Sequence, residues 1–402
     1  MDNKKWIIVI VILLAANGFV LSQDFGIKFS GFVKTDLIYD SRQTVAVREG
    51  HFLLYPAAKA PDSQGNDINA RPNMNILAIQ TRLKGTITGP DAFGAKTSGV
   101  IEGAFFGQSD SDINGFRLRH AFLKLDWGHN SLMTGQYWHP MFVTDVFPGT
   151  ISFNTGAPFQ PFSRNPQIRF THTQGKMSVF AAVVEQRDFV SKGPDGASSK
   201  YLRDAGIPNL HVQVQYKDKN SVLGAGVDWK SLLPRLQYFQ NKADDTVSGL
   251  SFIAFSKLST SSVTWKTEVV YGENLTDMLM LGGYAAESTP NYQEKATYIP
   301  TRIYSAWTDI SAGKTTELGL FAGYTHNRGA DKDIFTSWGN GLNIDTIYRV
   351  SPRVVWKSGT THLAAELEYT AAAYGVMDSK GVVNDAEYVN NLRLLLAAYY
   401  FF

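Results

Sequence analysis

The sequence predicts an all-β chain that crosses a membrane as a closed, transmembrane antiparallel β-barrel of about sixteen strands, with one long loop folded inward. Three observations predict it. Segment after segment alternates apolar and polar residues with a period of two rather than 3.6, the mark of strands with two unlike faces. Past the first two dozen residues, no stretch of the 402 approaches the eighteen or so apolar residues that a membrane helix needs. The chain also ends on an alternating apolar run whose last residue is a phenylalanine.

Composition narrows the remaining classes. There is no cysteine, so disulfides, thiolate metal sites and sulfur redox chemistry are excluded. Aromatic residues at 13% and 35 glycines are both high for a soluble domain. Residues 1–22 read as a signal peptide: Lys4 and Lys5, an apolar run from Trp6 to Ala16, and cleavage after Ser22. The expected mature chain is one domain, 23–402, beginning near Gln23. Removing Asp2, Lys4 and Lys5 takes the formal net charge from +2 to +1, so nucleic acid is not an expected partner.

The strands follow in order at 27–39, 74–88, 97–107, 115–127, 131–138, 166–174, 176–187, 208–217, 220–230, 248–258, 262–273, 299–310, 314–326, 345–357, 360–373 and 389–402. In the first, Ile27, Phe29, Val33, Leu37 and Tyr39 alternate with Lys28, Lys34, Asp36 and Asp40. The second sets Leu77, Ile79 and Leu83 against Gln80, Arg82 and Lys84. Val263, Trp265, Val269 and Tyr271 against Lys266 and Glu268, and Leu363 and Leu367 against Glu366 and Glu368, repeat the split. Short connections rich in Gly, Asn, Asp and Ser, such as 127–130 and 217–220, alternate with long ones at 40–73, 139–165, 188–207, 231–247, 274–298, 327–344 and 374–388. Aromatic residues at strand ends, Tyr137, Trp138, Trp265 and Trp356 among them, fit rings placed at headgroup level. Tyr400 and Phe402 on the last strand resemble the C-terminal signal by which the bacterial barrel-assembly machinery recognises its substrates.

A more specific resemblance lies in the first half. The run Gly115-Phe116-Arg117-Leu118-Arg119-His120-Ala121-Phe122, then Gly135-Gln136-Tyr137-Trp138, then Asn165-Pro166-Gln167-Ile168-Arg169-Phe170, resembles the DcaP-like trimeric porins, as does Gly31-Phe32-Val33-Lys34-Thr35-Asp36 in the first strand. The resemblance implies a homotrimeric channel in the outer membrane of a Gram-negative cell, surrounded by lipid after signal-directed export. It also implies that the chain enters the barrel between the second and third motifs. That family often carries an N-terminal coiled-coil extension, whereas only a few residues separate Gln23 from the first strand.

A sixteen-stranded barrel is wide enough for an aqueous channel, so whatever narrows it sets its selectivity. The 139–165 loop is the candidate constriction, since Met141, Phe142, Val143, Phe147, Phe153, Phe159 and Phe162 need a dry surface, although the same rings would suit an external cap. Arg117 and Arg119 alternate with Phe116 and Leu118, and Arg169 sits between Ile168 and Phe170. If the apolar neighbours face lipid, the guanidiniums face the lumen. With Arg82 and Arg164 they form a basic ladder suited to carboxylate or phosphate, and Asp145 in the loop offers an opposing charge. Each arginine could instead be held by a lumenal carboxylate such as Asp36 or Glu102. His120, His129 and His139 lack metal-ligand spacing, and His139 reads as a loop residue at the constriction. No cofactor motif and no nucleophile triad emerges. The expected function is diffusion of small polar solutes with a preference for anions such as carboxylates, the alternative being a structural or adhesion barrel acting through its long loops.

Overall fold

A computed structural model describes residues 25–107, 109–287 and 296–402; the expected signal peptide lies outside the described residues. Sixteen antiparallel strands close into one barrel. They are β1 (Gly26–Asp40), β2 (Asn73–Leu77 continuing as Arg82–Thr88), β3 (Lys96–Phe105), β4 (Phe116–Asp126), β5 (Asn130–Trp138), β6 (Arg164–Gln174), β7 (Met177–Val184) and β8 (Asn209–Lys217). The second half supplies β9 (Ser221–Leu232), β10 (Val247–Ser259), β11 (Val263–Glu273), β12 (Arg302–Ala312), β13 (Thr316–Asn327), β14 (Ile344–Ser358), β15 (Thr361–Met377) and β16 (Val383–Phe401). Each strand pairs with its sequence neighbours, and β1 pairs with β16 from Phe32↔Phe401 to Asp40↔Arg393, so no edge is left open. No helix among the described residues is long and apolar enough to cross a membrane.

The period-two pattern sorts the faces as expected. Ile27, Phe29, Val33, Phe116, Leu118, Ile168, Phe170, Trp265, Leu363 and Leu367 are exposed on the outer wall. Their neighbours Lys34, Asp36, Asp40, Arg119, Glu366 and Glu368 are buried inside. The second strand departs from this reading at one point. Asp36 pairs with Leu77 while Phe32 pairs with Arg82, so β2 carries one more residue than β1 over the same stretch. A single inserted residue reverses which face every later side chain takes. Leu77 and Ile79 therefore pack inside, and only Leu83 joins the outer face.

Two further boundaries move. The expected 374–388 loop is largely strand, because β15 and β16 stay paired to Met377↔Val383 and leave a turn at 378–382. The expected strand at 299–310 begins at Arg302 instead, because Tyr298–Pro300 pairs with Gly282–Glu287, which also pairs with Ile334–Asn340 in a small sheet among the long loops. Within the first long loop, Thr44–Val47 and Phe52–Pro56 form a hairpin whose second strand is wholly buried.

Candidate functional site

The barrel interior is crossed by the segment between β5 and β6. Its neck is closed where the His139 N–H donates to the Ser163 carbonyl at 2.9 Å. From there the wall holds it nearly all the way round. Lys217 on β8 pairs with Asp145 at 2.7 Å, and Lys266 on β11 donates to the Phe147 carbonyl at 2.9 Å. Gly149 lies against Arg353, which is bidentate to Asp309; a Cβ at Gly149 would come within 2.7 Å of that guanidinium, so any side chain there would have to displace it. Lys34 on β1 donates to the Ile151 carbonyl at 2.9 Å, while the Ile151 and Ser152 N–H groups donate to Glu366 on β15 at 2.7 and 3.2 Å. Asn154 donates to Glu368, Arg349 to the Ala157 carbonyl, and Ser305 to the Phe159 carbonyl. Met141, Phe142, Val143, Phe153, Phe159 and Phe162 are buried.

These bonds have a physical logic. An irregular segment carries unpaired backbone groups, and at this depth only inward-facing wall side chains can satisfy them. The alternation that makes the outer wall greasy therefore also supplies the donors and acceptors that hold the loop. The apolar side of the loop finds its dry surface against the buried hairpin: Phe52 meets Phe153 and Phe162 with ring centroids 5.4 and 5.0 Å apart.

The arginines named from the sequence fall into separate groups. Arg119 donates to Glu102 at 2.7 Å, and Arg82 lies 3.5 Å from the same carboxylate. Arg117 and Arg164 converge on Asp188, at 2.9 and 2.6 Å. Arg48, buried, stacks on Phe106 at 4.4 Å and donates to the Gly107 carbonyl. Burial would raise the Asp188 carboxyl, yet Arg164, Arg117 and Arg48 outweigh burial and hold it below the usual carboxylate range. Burial, together with its arginine neighbours, lowers the Arg48 guanidinium to about 9. Of the two carboxylates considered from the sequence, Glu102 does hold arginines, while Asp36 holds Lys34 and His51. Arg48 and Asp188 lie in irregular loops where no periodicity points to them, and they are the members of the cluster that sequence reasoning missed.

Two cavities open along the inner loop. One, of about 420 Å³, is lined by Arg82, Arg119, Gln80 and Thr150 together with rings including Trp138, Phe142 and Phe401. The other, of about 210 Å³, holds Arg169 and Asp145 with Thr171, Ser178, Gln213 and Gln215. Trp138, expected at the membrane interface, instead turns inward and stacks on Phe142 at 3.7 Å, because loop and wall meet there and give the ring a flat partner. Arg169 lies over Phe180 at 4.6 Å and donates to Gln167. It therefore sits apart from Arg117 and Arg119, and Asp145 faces Lys217 and Gln215 rather than the arginine cluster. His139 is buried at the loop's root, its Nε2 3.6 Å from Asp228. Among the described residues no His, Asp or Glu cluster is arranged to hold a metal ion.

No family model matches this chain, and no curated protein matches it in sequence. Solved structures do. The outer membrane channel DcaP of Acinetobacter baumannii is 16% identical, with 96% of this chain and 100% of that one aligned at a TM-score of 0.71. The trimer form of OmpT from Vibrio cholerae is 12% identical over 94% and 100% of the two chains, at 0.57. OmpF of Salmonella typhi, in complex with daunomycin, is 10% identical over 94% and 97%, at 0.54. The RLRHA strand, the inner loop and the closed sixteen-stranded wall together give this chain the fold of the DcaP-like outer-membrane porins.

Proposed function

We propose that the protein is an outer-membrane diffusion channel for small hydrophilic solutes, with a preference for anions such as carboxylates. One observation carries the reading: among the described residues, Arg48, Arg82, Arg117, Arg119 and Arg164 gather in the lumen around Glu102 and Asp188, with Asp110 near Arg48, so that the cations outnumber the carboxylates. The Nη1 atoms of Arg48, Arg119 and Arg164 are buried with no hydrogen-bond partner among the described residues. Buried charged donors left unsatisfied are costly, and the uncompensated positive charge they leave beside the lumen attracts anions. Arg169 adds a further cation in the neighbouring cavity. The similarity to channel structures supports the same reading, and so does the outer wall of exposed Leu, Val, Phe and Trp, which suits a surround of outer-membrane lipid. We extend the proposal to a homotrimer delivered by signal-directed export and inserted by the barrel-assembly machinery, in line with the trimer form of OmpT.

The test is the reversal potential of the purified protein in a salt gradient. A fixed charge within about 4 Å of a permeating ion contributes on the order of 1–4 kcal/mol where screening is weak. Replacing Arg117 and Arg119 together with Ala should therefore shift the reversal potential towards cations. An unchanged potential at low salt, where screening is least, would show those arginines to be structural and remove the anion preference.

A further inference from the structure

The arginines that the sequence places in one ladder are divided in space by a row of rings. Phe142 stacks on Trp138 at 3.7 Å with the planes 10° apart, and Phe147 lies 5.5 Å from it, also stacked. Arg119 and Arg164 stand 5.9 and 5.1 Å from the Trp138 ring. Arg169 is beyond the row, against Phe180 and Tyr137. Phe142 is the single residue that lines both the 420 Å³ and the 210 Å³ cavity. Its ring is 3% exposed, although it has a cavity on either hand.

From this we infer that Phe142 sets the width of the passage between the two chambers: its ring is the partition that keeps the basic, ring-lined chamber apart from the polar chamber of Arg169 and Asp145. The inference rests on the channel reading given above. The backbone on either side of the ring is fixed by other bonds. The Phe142 N–H donates to the His139 carbonyl at 2.8 Å, and Asp145 is tied to Lys217. Taking away the ring therefore joins two existing spaces without releasing the loop. In a hydrophobic constriction the bulk of the lining side chains, more than their charge, sets what passes. The two chambers carry unlike chemistry, with Arg82 and Arg119 facing one and Arg169 opposite Asp145 and two glutamines in the other. A solute that fits one chamber is held to its chemistry as long as the partition stands.

The experiment compares the parent with Phe142→Ala and Phe142→Leu in planar bilayers, and by swelling of liposomes in neutral sugars of increasing size. Neutral sugars make the size limit readable independently of any anion preference. Phe142→Ala should raise single-channel conductance about twofold and admit larger sugars, with Phe142→Leu in between, since pore width governs both. The reversal potential, measured on the same channels, reports on the anion reading separately, so a moved size limit with no anion preference would overturn that reading and leave this one standing. The chain has no native cysteine, so Phe142→Cys gives a second route should the Ala variant fail to assemble. A charged methanethiosulfonate reagent should then cut the current. Assembled, heat-modifiable variants with the parent's conductance and sugar limit, or a Cys variant whose current ignores the reagent, would overturn the inference.

Discussion

His139 marks the point where the inner loop leaves the wall, and only its Nδ1 has a hydrogen-bond partner among the described residues. Nδ1 accepts from the Met141 N–H at 3.3 Å, and Nε2 faces Asp228 at 3.6 Å. Other charged or titratable groups around it are His211 on β8, Lys230 on β9 and Asp277 from the 274–301 loop. Burial dominates and pushes the imidazole down to about 4, against the partial counterweight of Asp228. The sign follows from linkage. An unfolded chain binds the proton near the ordinary value of 6.5, whereas the folded one resists it until about pH 4. Stability is therefore full above pH 6.5 and falls as pH drops through that window, by on the order of 1–3 kcal/mol. Unfolding temperatures measured across this range should decline in the parent and stay flatter in His139→Asn. Parallel curves would show that His139 takes no part. The same site shows what a sequence alone can give at this scale. His139 is recognisable as a loop residue at the constriction, but Asp228 and His211 reach it from strands more than seventy positions away, and nothing in the local sequence announces them.

At the scale of the element, the final strand carries two jobs on its two faces. Tyr400 and Phe402 are exposed on the outer wall, while Phe401 lines the larger lumenal cavity. Phe402 also exchanges two backbone hydrogen bonds with Gly31, at 3.0 and 3.1 Å, and its ring lies where a side chain on Gly31 would have to go. Phe402→Ala should thus lower the amount of assembled barrel while leaving the conductance of whatever assembles unchanged. Phe401→Ala should do the reverse and alter conductance. Quantifying the heat-modifiable band alongside single-channel records separates the two; normal assembly of Phe402→Ala would remove the insertion role. All sixteen strands were legible in advance because a lipid-facing side chain must be apolar, where a charge near the midplane costs about 2–4 kcal/mol, and its neighbours on a pleated strand must then point the other way. What this rule cannot reach is any place where one residue is added or the backbone leaves the ladder. The bulge in β2 reverses Leu77 and Ile79, and the hairpin 44–56, the small sheet around Gly282–Glu287 and Asp188 all sit in irregular segments whose partners are set by closure of the barrel. The split of the arginines had the same origin: parity puts Arg117, Arg119 and Arg169 inside, but only the path of the loop decides which of them share a chamber.

For the molecule as a whole, the export reading makes a direct prediction. Mass spectrometry of protein taken from outer-membrane fractions should give an N-terminus at or near Gln23, and retention of residues 1–22 would refute it. The expectation belongs to this scale because β1, which begins at Gly26 just past the expected cleavage point, forms the closing seam with β16. That seam bears on the order in which the molecule is built. Lys34 comes from the first strand and Glu366 from the fifteenth, on either side of the last strand; Lys34 donates to the Ile151 carbonyl, while Glu366 accepts from the Ile151 and Ser152 N–H groups. Until the two ends of the chain have met, Lys34 is not beside Glu366 and the loop lacks the anchor that the first strand supplies. The inner loop therefore takes its last anchor from the finished cylinder, so an incompletely closed barrel is also one whose inner loop is not yet fully held.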